Sequence, residues 1–358
     1  MTVRPNSLRI GMVCLLPAHL LLYGCTTLGY YAQSINGHME VLMQRQPIED
    51  MLRTGNSQEN IGRKLATVLE LLEFAREEML LPDNGSYRSY SDINRDYVIW
   101  NVFATPRLSL QPKEWCYLVV GCLGYRGYYS REDAVVYANK LKDEGYDVYL
   151  GGVAAYSTLG WFSDPVLNTM LRHDDTYLAR IIFHELAHQK LYIKDDTEFN
   201  EAFADAVANI ATRRWLERTR TTDEYQKFLR QERYDQEFTE LVLSYRKKLQ
   251  HLYASHHPDA NKLAGKKRIL AELVERYREI SAHWLDYNVY DSWIGTDLNN
   301  ARLAAFATYR ELVPAFLALY EAVNEDPGNF YTRVGALSRC SYQDRRKYIK
   351  SPQYADEC

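Results

Sequence analysis

The stretch that decides the fold of the second half of the chain is "IIFHELAHQKLYIKDDTEFNEAFADAV", residues 181–207. It reads as a pair of apolar helices into which two histidines, His184 and His188, and two acids, Glu185 and Glu201, are set. Because a polar group buried without a partner costs free energy, these side chains need partners inside the protein. A bound metal ion is one such partner.

His184 and His188 are four residues apart in "HELAH". On a helix this spacing places both imidazoles on the same face, one turn apart, where they can bind one cation. Glu185 is rotated by about 100° from His184, so its carboxylate lies beside the metal and can take a proton from an activated water. The apolar flanks from Ile181 to Leu191 argue against a solvated helix face.

A catalytic zinc needs a third protein ligand and an open position. Glu201 in "NEAFAD" follows His188 after a turn and a predicted second helix, and Asp205, one turn later, can accept the free ring N–H of a ligand histidine. Asp195 and Asp196 also carry oxygen donors, but "KDD" is typical of a solvated turn. The cofactor prediction is zinc, although the same ligands accept other divalent ions.

The pairing of "HELAH" with "NEAFAD" resembles the gluzincin metallopeptidases, whose zinc is bound by two histidines and a glutamate. Four stretches, one of which spans the two motifs above, are similar to a family of bacterial lipoproteins that are predicted aminopeptidases. They are "WCYLVVGCLGYRGYYS", "AYSTLGWFSDPVL", "FHELAHQKLYIKDDTEFNEAFA" and "LNNARLAAFATY". The resemblance covers most of the chain and implies a zinc-dependent peptidase with His184, His188 and Glu201 as ligands.

The first 24 residues predict a signal peptide, with Arg4 and Arg9 before a short apolar run at 10–22. The run is too short for a membrane-spanning helix. "LYGC" is similar to a lipoprotein processing site, which makes Cys25 the predicted lipidated residue. The bulky Tyr23 leaves an ordinary cleaved signal as the alternative. Without an Asp after Cys25, the expected location is the periplasmic face of the outer membrane.

The composition bears on whether the protein binds nucleic acid and on whether its compartment is oxidising. The chain has 43 Lys and Arg against 47 Asp and Glu, a net charge of -4, which gives no sign of nucleic-acid binding. Four of the 6 cysteines remain once the signal is removed and Cys25 is lipidated. An even number in an oxidising compartment predicts two disulfides. The favoured pairs are Cys116 with Cys122 and Cys340 with Cys358.

The pattern of elements predicts an α+β fold. Helices are expected at about 34–46, at 57–80 and at 130–145, and single strands at 96–105, 114–121 and 147–162, the last with a glycine-softened exit. From about 175 the amphipathic helical pattern continues to the end. We therefore divide the chain into a signal peptide (1–24), an α+β part with a small sheet (25–172) and a helical part that carries the zincin-like helix (173–358).

The residues that complete a peptidase site are less well defined by sequence. The oxyanion of the tetrahedral intermediate needs a donor. Tyr309 is favoured by the resemblance, and other candidates are Tyr125, Tyr128 and Tyr156.

Binding of a free substrate ammonium needs an anion. The stretch 151–161 contains no Glu, so the anion is expected to be Asp164, Asp174 or Asp175, or such an anchor is absent. The glycine-softened strand around 151–161 is expected to approach the substrate backbone.

The sequence therefore predicts a zinc-dependent peptidase acting on peptide substrates, most simply an aminopeptidase. An endopeptidase of the cell envelope is the alternative within the enzyme class. A scaffold lipoprotein with a structural zinc is the alternative outside it, and would need a fourth protein ligand.

Overall fold

The computed structural model describes residues 15–350 apart from 56–57, 118–119 and 296, with side chains described from residue 29 onward. In the first half of the chain, the described residues form four helices and eight short strands. The helices are α1 (Leu15–Met43), α2 (Ile48–Thr54), α3 (Glu59–Glu77) and α4 (Arg131–Asp143). The strands are β1 (Gln46–Pro47), β2 (Ser89–Ser91), β3 (Ile99–Pro106), β4 (Trp115–Tyr117), β5 (Gly121–Leu123), β6 (Arg126–Tyr128), β7 (Tyr146–Val153) and β8 (Val166–Leu167).

The second half is helical, and the predicted α+β class is confirmed. A short 3-10 helix precedes α5. The helices that follow are α5 (Asp175–Lys190), α6 (Thr197–Thr219), α7 (Thr222–Ala254), α8 (Asp259–Ser281), α9 (Asn300–Arg310), α10 (Val313–Ala322), α11 (Pro327–Arg339) and α12 (Tyr342–Tyr348).

One three-stranded sheet has the order β6–β3–β7, so β7 is an edge strand. β3 pairs antiparallel with β7 along its whole length, from Ile99 opposite Val153 to Pro106 opposite Tyr146. α4 packs on this sheet, and it begins at Ser130, whose hydroxyl accepts a hydrogen bond from the Asp133 amide at 3.1 Å. Such a cap satisfies an amide that would otherwise lack a partner in the first turn.

The prediction of one strand at 114–121 was wrong, because the chain reverses there. β4 and β5 form a hairpin in which Cys116 lies directly opposite Cys122, and a disulfide joins the two cysteines. Gly121 has a φ of +82°, a conformation that side-chain-bearing residues rarely adopt. The residues of this stretch do form β structure, as their β propensity predicts, but they form two short strands instead of one.

The largest hydrophobic core is shared by both halves of the chain. Leu71 of α3 and Phe183 of α5 are fully buried in it together with Phe203, Phe316 and Phe330. The Phe203 ring lies 5.7 Å from Phe316 and 6.1 Å from Phe330, between centroids. α6 is buried on most sides, and its alanines pack closely against α5. α5 and α6 therefore contribute many buried residues to this core.

Two predictions concern residues that the structure does not describe. The side chain of Cys25, the predicted lipidation site, and the whole of Cys358, the predicted partner of Cys340, lie outside the described residues. Among the helices of the described part, none combines the length and hydropathy needed to cross a bilayer.

Candidate metal centre

One face of α5 forms the floor of a cavity of about 750 Å³. The helix begins at Asp174, whose carboxylate accepts a hydrogen bond from the Tyr177 amide at 2.9 Å. Side chains spaced three or four residues apart then point to the same side, as expected for one helix face. The members of α5 that line the cavity are Tyr177, Arg180, Ile181, His184, Glu185 and His188.

The turn that joins α5 to α6 is fixed by the side chain of Asn200. Its amide nitrogen donates to the Ile193 carbonyl at 2.7 Å, and its amide oxygen accepts from the Ile193 amide at 2.8 Å. Glu201 is the next residue, so these two hydrogen bonds help to determine where its carboxylate lies in the cavity. A rigid turn of this kind positions a ligand at no further entropic cost when metal binds.

The expectation that "KDD" forms a solvated turn was wrong for Asp196. Its side chain is only 1% exposed and makes ion pairs with Arg345 at 2.8 Å and Arg346 at 2.6 Å. It also caps α6 by accepting a hydrogen bond from the Phe199 amide. A buried carboxylate with two arginines and a helix N-terminus is stable as an anion. Asp196 therefore connects the start of α6 to α12, which carries both arginines.

Three predicted ligands converge in the cavity. The Oε2 atom of Glu201 lies 3.3 Å from His184 Nε2 and 3.4 Å from His188 Nε2, and the two nitrogens are 3.1 Å apart. Ligand atoms about 2.0–2.1 Å from a tetrahedral zinc are separated by about 3.3 Å. The observed separations and the two-nitrogen, one-oxygen donor set both fit zinc. Within the described residues, this is the group of His, Cys, Asp and Glu side chains that could hold a metal.

Asp205 contacts Nδ1 of His184, the ring nitrogen that does not face Glu201. Its Oδ1 lies 3.0 Å from His184 Nδ1, and its Oδ2 lies 3.6 Å from Nε of Arg310. Burial alone would raise the pKa of Asp205, but Arg310 and His184 outweigh burial and hold the pKa at about 2. A carboxylate that accepts from Nδ1–H leaves the Nε2 lone pair free for a metal. In the described residues, Nδ1 of the buried His188 has no such partner.

Arg310 is a residue that the sequence analysis missed. It follows Tyr309 at the end of α9 and reaches the metal site from more than 100 positions along the chain. It carries no motif of its own. The stretch "LNNARLAAFATY", which carries part of the family resemblance, ends one residue before this arginine.

Glu185 also lies in the cavity wall, 9% exposed. Burial raises the pKa of its carboxyl, while the neighbouring His184 and His188 act in the opposite direction. A carboxylate whose proton affinity is raised by burial is better suited to accept a proton than an exposed one. It lines the same cavity as His184 and His188, and its role as proton acceptor stays a prediction.

The four tyrosines considered as oxyanion donors separate into two groups. Tyr309, Tyr125 and Tyr156 line the cavity, and the Tyr309 ring is stacked near His184 with 6.4 Å between centroids. Burial, followed by the charge of Glu201, raises the pKa values of Tyr309 and Tyr125 well above the usual range. Their hydroxyls therefore stay protonated and can donate. Tyr128 packs instead in the cluster beneath α4.

None of the three acids considered for a substrate ammonium lines the cavity. Asp174 caps α5, and Asp175 pairs with Lys64 at 3.3 Å. Asp164 is 1% exposed and accepts hydrogen bonds from the amide and hydroxyl of Thr158 at 2.8 and 3.0 Å. These acids have structural roles.

Asp164 predicts a measurable pH dependence of stability. Burial raises its pKa to about 6, so the folded state binds a proton that the unfolded state releases near pH 4. Its contribution to the free energy of unfolding therefore falls as the pH rises from about 4 to 6. Asp164→Asn should be more stable than the wild type at pH 7 by up to about 3 kcal/mol, and nearly equal at pH 4. Urea unfolding at both pH values measures this; an equal difference at the two would contradict it.

The edge strand β7 ends at Val153, earlier than the predicted 162, and its last residues together with those just after it form another wall of the cavity. Gly152, Val153, Ala154, Ala155 and Tyr156 all contribute to it. The predicted substrate-binding stretch is thus adjacent to the ligand group. An edge strand carries unpaired backbone groups that can pair with an extended peptide.

Comparison with known proteins gives one match. The sequence profile of a family described as "Putative aminopeptidase" matches residues 29–349, which is most of the chain and includes every cavity residue named above. No curated protein and no solved structure matches at a significant level. Together with the converging histidines and glutamate, this match shows that the chain belongs to that aminopeptidase family.

Proposed function

We propose that this protein is a zinc-dependent aminopeptidase that hydrolyses peptide bonds in the cavity above α5. The observation that carries the proposal is the convergence of His184, His188 and Glu201 at the spacing of tetrahedral zinc ligands. Glu185 lies in the same wall. A ligand group beside a buried carboxylate in an accessible cavity is the arrangement that metal-assisted hydrolysis needs.

The number of ligands favours catalysis over a structural role. In the part of the chain that the structure describes, the candidate group contains three side chains and no fourth. Structural zinc sites are closed by four protein ligands, whereas catalytic sites keep one position open. The scaffold alternative would also leave Glu185 without a role.

The residues of the cavity suggest how hydrolysis would proceed. The metal would supply Lewis acidity, which lowers the pKa of water and polarises a carbonyl. Glu185 takes the proton of the attacking water on its carboxylate and passes it to the nitrogen of the leaving amine. Asp205 and Arg310 keep His184 oriented. Tyr309 or Tyr125 donates a hydrogen bond to the oxyanion.

The experiment that tests this function uses the purified chain and one peptide prepared with free and with acetylated N-termini. We expect about one zinc per chain and cleavage of the free form alone. Cleavage of both forms would replace the aminopeptidase with an endopeptidase. Zinc without cleavage of either form would favour the scaffold.

We further propose that the mature chain is anchored by lipid on Cys25 and faces the periplasm, at the outer membrane. The support is the order of basic residues, apolar run, Gly24 and Cys25 at the start of the chain. Fractionation of cells that express the full chain tests this. Mature protein that leaves the membrane fraction in low or high salt without detergent would contradict it.

A further inference from the structure

The cavity extends along α5 beyond the ligand group, in the direction of the helix N-terminus. Arg180 lines this part of the cavity. It precedes His184 by four residues, so it lies on the same face, one helical turn away. Two cations are present in the described lining, Arg180 and Arg310. Arg310 is directed at Asp205, the support of His184. Arg180 influences Asp205 only through its charge, less strongly than Arg310 does, and makes its ion pair with Asp235 instead.

Arg180 is held in place by a cluster of side chains from elsewhere in the chain. Its Nη1 lies 3.3 Å from Oδ2 of Asp235, with the two side chains 23% and 12% exposed. The other oxygen, Oδ1, accepts hydrogen bonds from the hydroxyls of Tyr287 and Tyr290, the latter at 2.6 Å. Asp235 therefore has its oxygens engaged and acts as a support. A guanidinium fixed at one nitrogen is oriented before any ligand arrives.

The remaining donors of Arg180 can bind a ligand. A guanidinium carries five N–H donors in a planar fork that matches a carboxylate. Among the described residues, the hydrogen bond to Asp235 is the one that Arg180 makes. Glu232 is near enough to Arg180 to be influenced by its charge, but Glu232 is also near Arg213. Asp205 is also within range of the charge of Arg180, and Arg310 compensates its charge. The three acids near Arg180 are thus balanced by three arginines, Arg180 included, so an incoming anion does not meet an excess of negative charge.

The ammonium of a substrate is the less suitable ligand for this position. Apart from the ligand Glu201, its neighbour Asp205 and the general base Glu185, the acid in the described lining is Asp235. Asp235 already accepts three hydrogen bonds. An ammonium approaching it would also meet the positive charge of Arg180 at close range. A carboxylate approaching Arg180 gains charge-assisted hydrogen bonds.

We propose that Arg180 binds the α-carboxylate of a short peptide, so that the preferred substrates are dipeptides and tripeptides with a free C-terminus. The four residues from Arg180 to His184 correspond to a rise of about 6 Å along the helix axis. An extended peptide spans about 3.3–3.6 Å per residue. A carboxylate at Arg180 therefore lies one or two residues beyond a bond cleaved at the ligand group. This inference names the substrate class of the proposed peptidase and rests on that function.

Binding can be separated from turnover by using the Glu185→Gln protein loaded with zinc. Titration calorimetry with one dipeptide as its free acid and as its C-terminal amide compares the two ends directly. We expect the acid to bind at least about tenfold more tightly than the amide. Arg180→Gln added to this background should reduce the affinity for the acid to that for the amide and leave the amide unchanged. Arg180→Lys, which keeps the charge without the fork, should fall between the two.

Arg95→Gln is the matched control. Arg95 is similarly exposed, at 28%, and pairs with Glu40 at 3.3 Å, but it lies outside the cavity of the ligand group. Its substitution should leave both affinities unchanged.

Equal affinity for acid and amide before any change at Arg180 would overturn the proposal, and that comparison needs no folded variant. Equal loss for both peptides in Arg180→Gln, or no binding of either, would overturn it too.

Turnover by the wild-type enzyme distinguishes this inference from the proposed function. If the wild type hydrolyses acid and amide with equal kcat/KM, the peptidase stands and the role of Arg180 fails. If the acid binds selectively but the wild type hydrolyses neither peptide, the carboxylate site stands and the peptidase fails.

Discussion

Replacing Glu185 by Gln should abolish most peptide hydrolysis while leaving the bound metal and the fold in place. Glutamine has nearly the same shape as glutamate but cannot accept and return a proton. General base catalysis of this kind contributes about 10²–10⁴-fold to the rate. The buried position of Glu185 makes the change mild for the fold, because burial already raises the pKa of its carboxyl. A neutral amide there costs less than a buried charge.

The measurement is kcat for a free N-terminal peptide, together with zinc content and thermal unfolding of the same preparation. Glu198→Gln provides the matched control. Glu198 lies on α6 near Glu201, is 31% exposed and pairs with Arg346 at 2.9 Å, but it does not line the cavity. That variant should keep full activity. Full activity in Glu185→Gln would contradict the mechanism, and loss of zinc in it would show that Glu185 is a ligand.

The ligand group is the part of this protein that the sequence predicts best, and the reason is local geometry. His184, Glu185 and His188 lie within one and a half turns of a single helix, so the helix alone determines their relative positions. Glu201 and Asp205 are equally local to α6. The one long-range step, the packing of α6 on α5, follows from the alanine-rich face of α6 and a short turn.

The rest of the cavity could not be predicted because it is assembled from segments distant in sequence. Arg310 lies on α9 and Asp235 lies on α7. Neither residue belongs to a recognisable sequence motif. Only packing decides that these residues face the ligand group. The same holds for Asp196, whose burial depends on Arg345 and Arg346 near the end of the described chain.

The pairing of β4 with β5 also explains why the single strand predicted at 114–121 was wrong. The residues of 114–121 have strong β propensity, which cannot distinguish one strand from two strands of a hairpin. Cys116 and Cys122 were paired correctly by spacing. That disulfide, taken as a constraint on the backbone, already requires the chain to reverse between them.

Replacing His188 by Ala should remove both the metal and the activity. His188 is 8% exposed, and its Nε2 lies within 3.4 Å of Glu201 Oε2 and 3.1 Å of His184 Nε2. Without it, two protein ligands are left, fewer than the three that catalytic zinc sites use. By contrast, Asp205→Asn changes only the support of His184 and should weaken metal binding by about 10–100-fold. The two variants should therefore differ in zinc content at limiting metal.

Zinc content after dialysis against a weak chelator, and kcat at saturating zinc, measure both effects. Asp205→Asn should regain activity as zinc is added, because its three ligands remain. His188→Ala should not regain it. His251→Ala, at an exposed position of α7, controls for removing an imidazole and should behave as the wild type. Stoichiometric zinc in His188→Ala would mean that another side chain completes the site, and the assignment of His184, His188 and Glu201 as the ligand set would then be wrong.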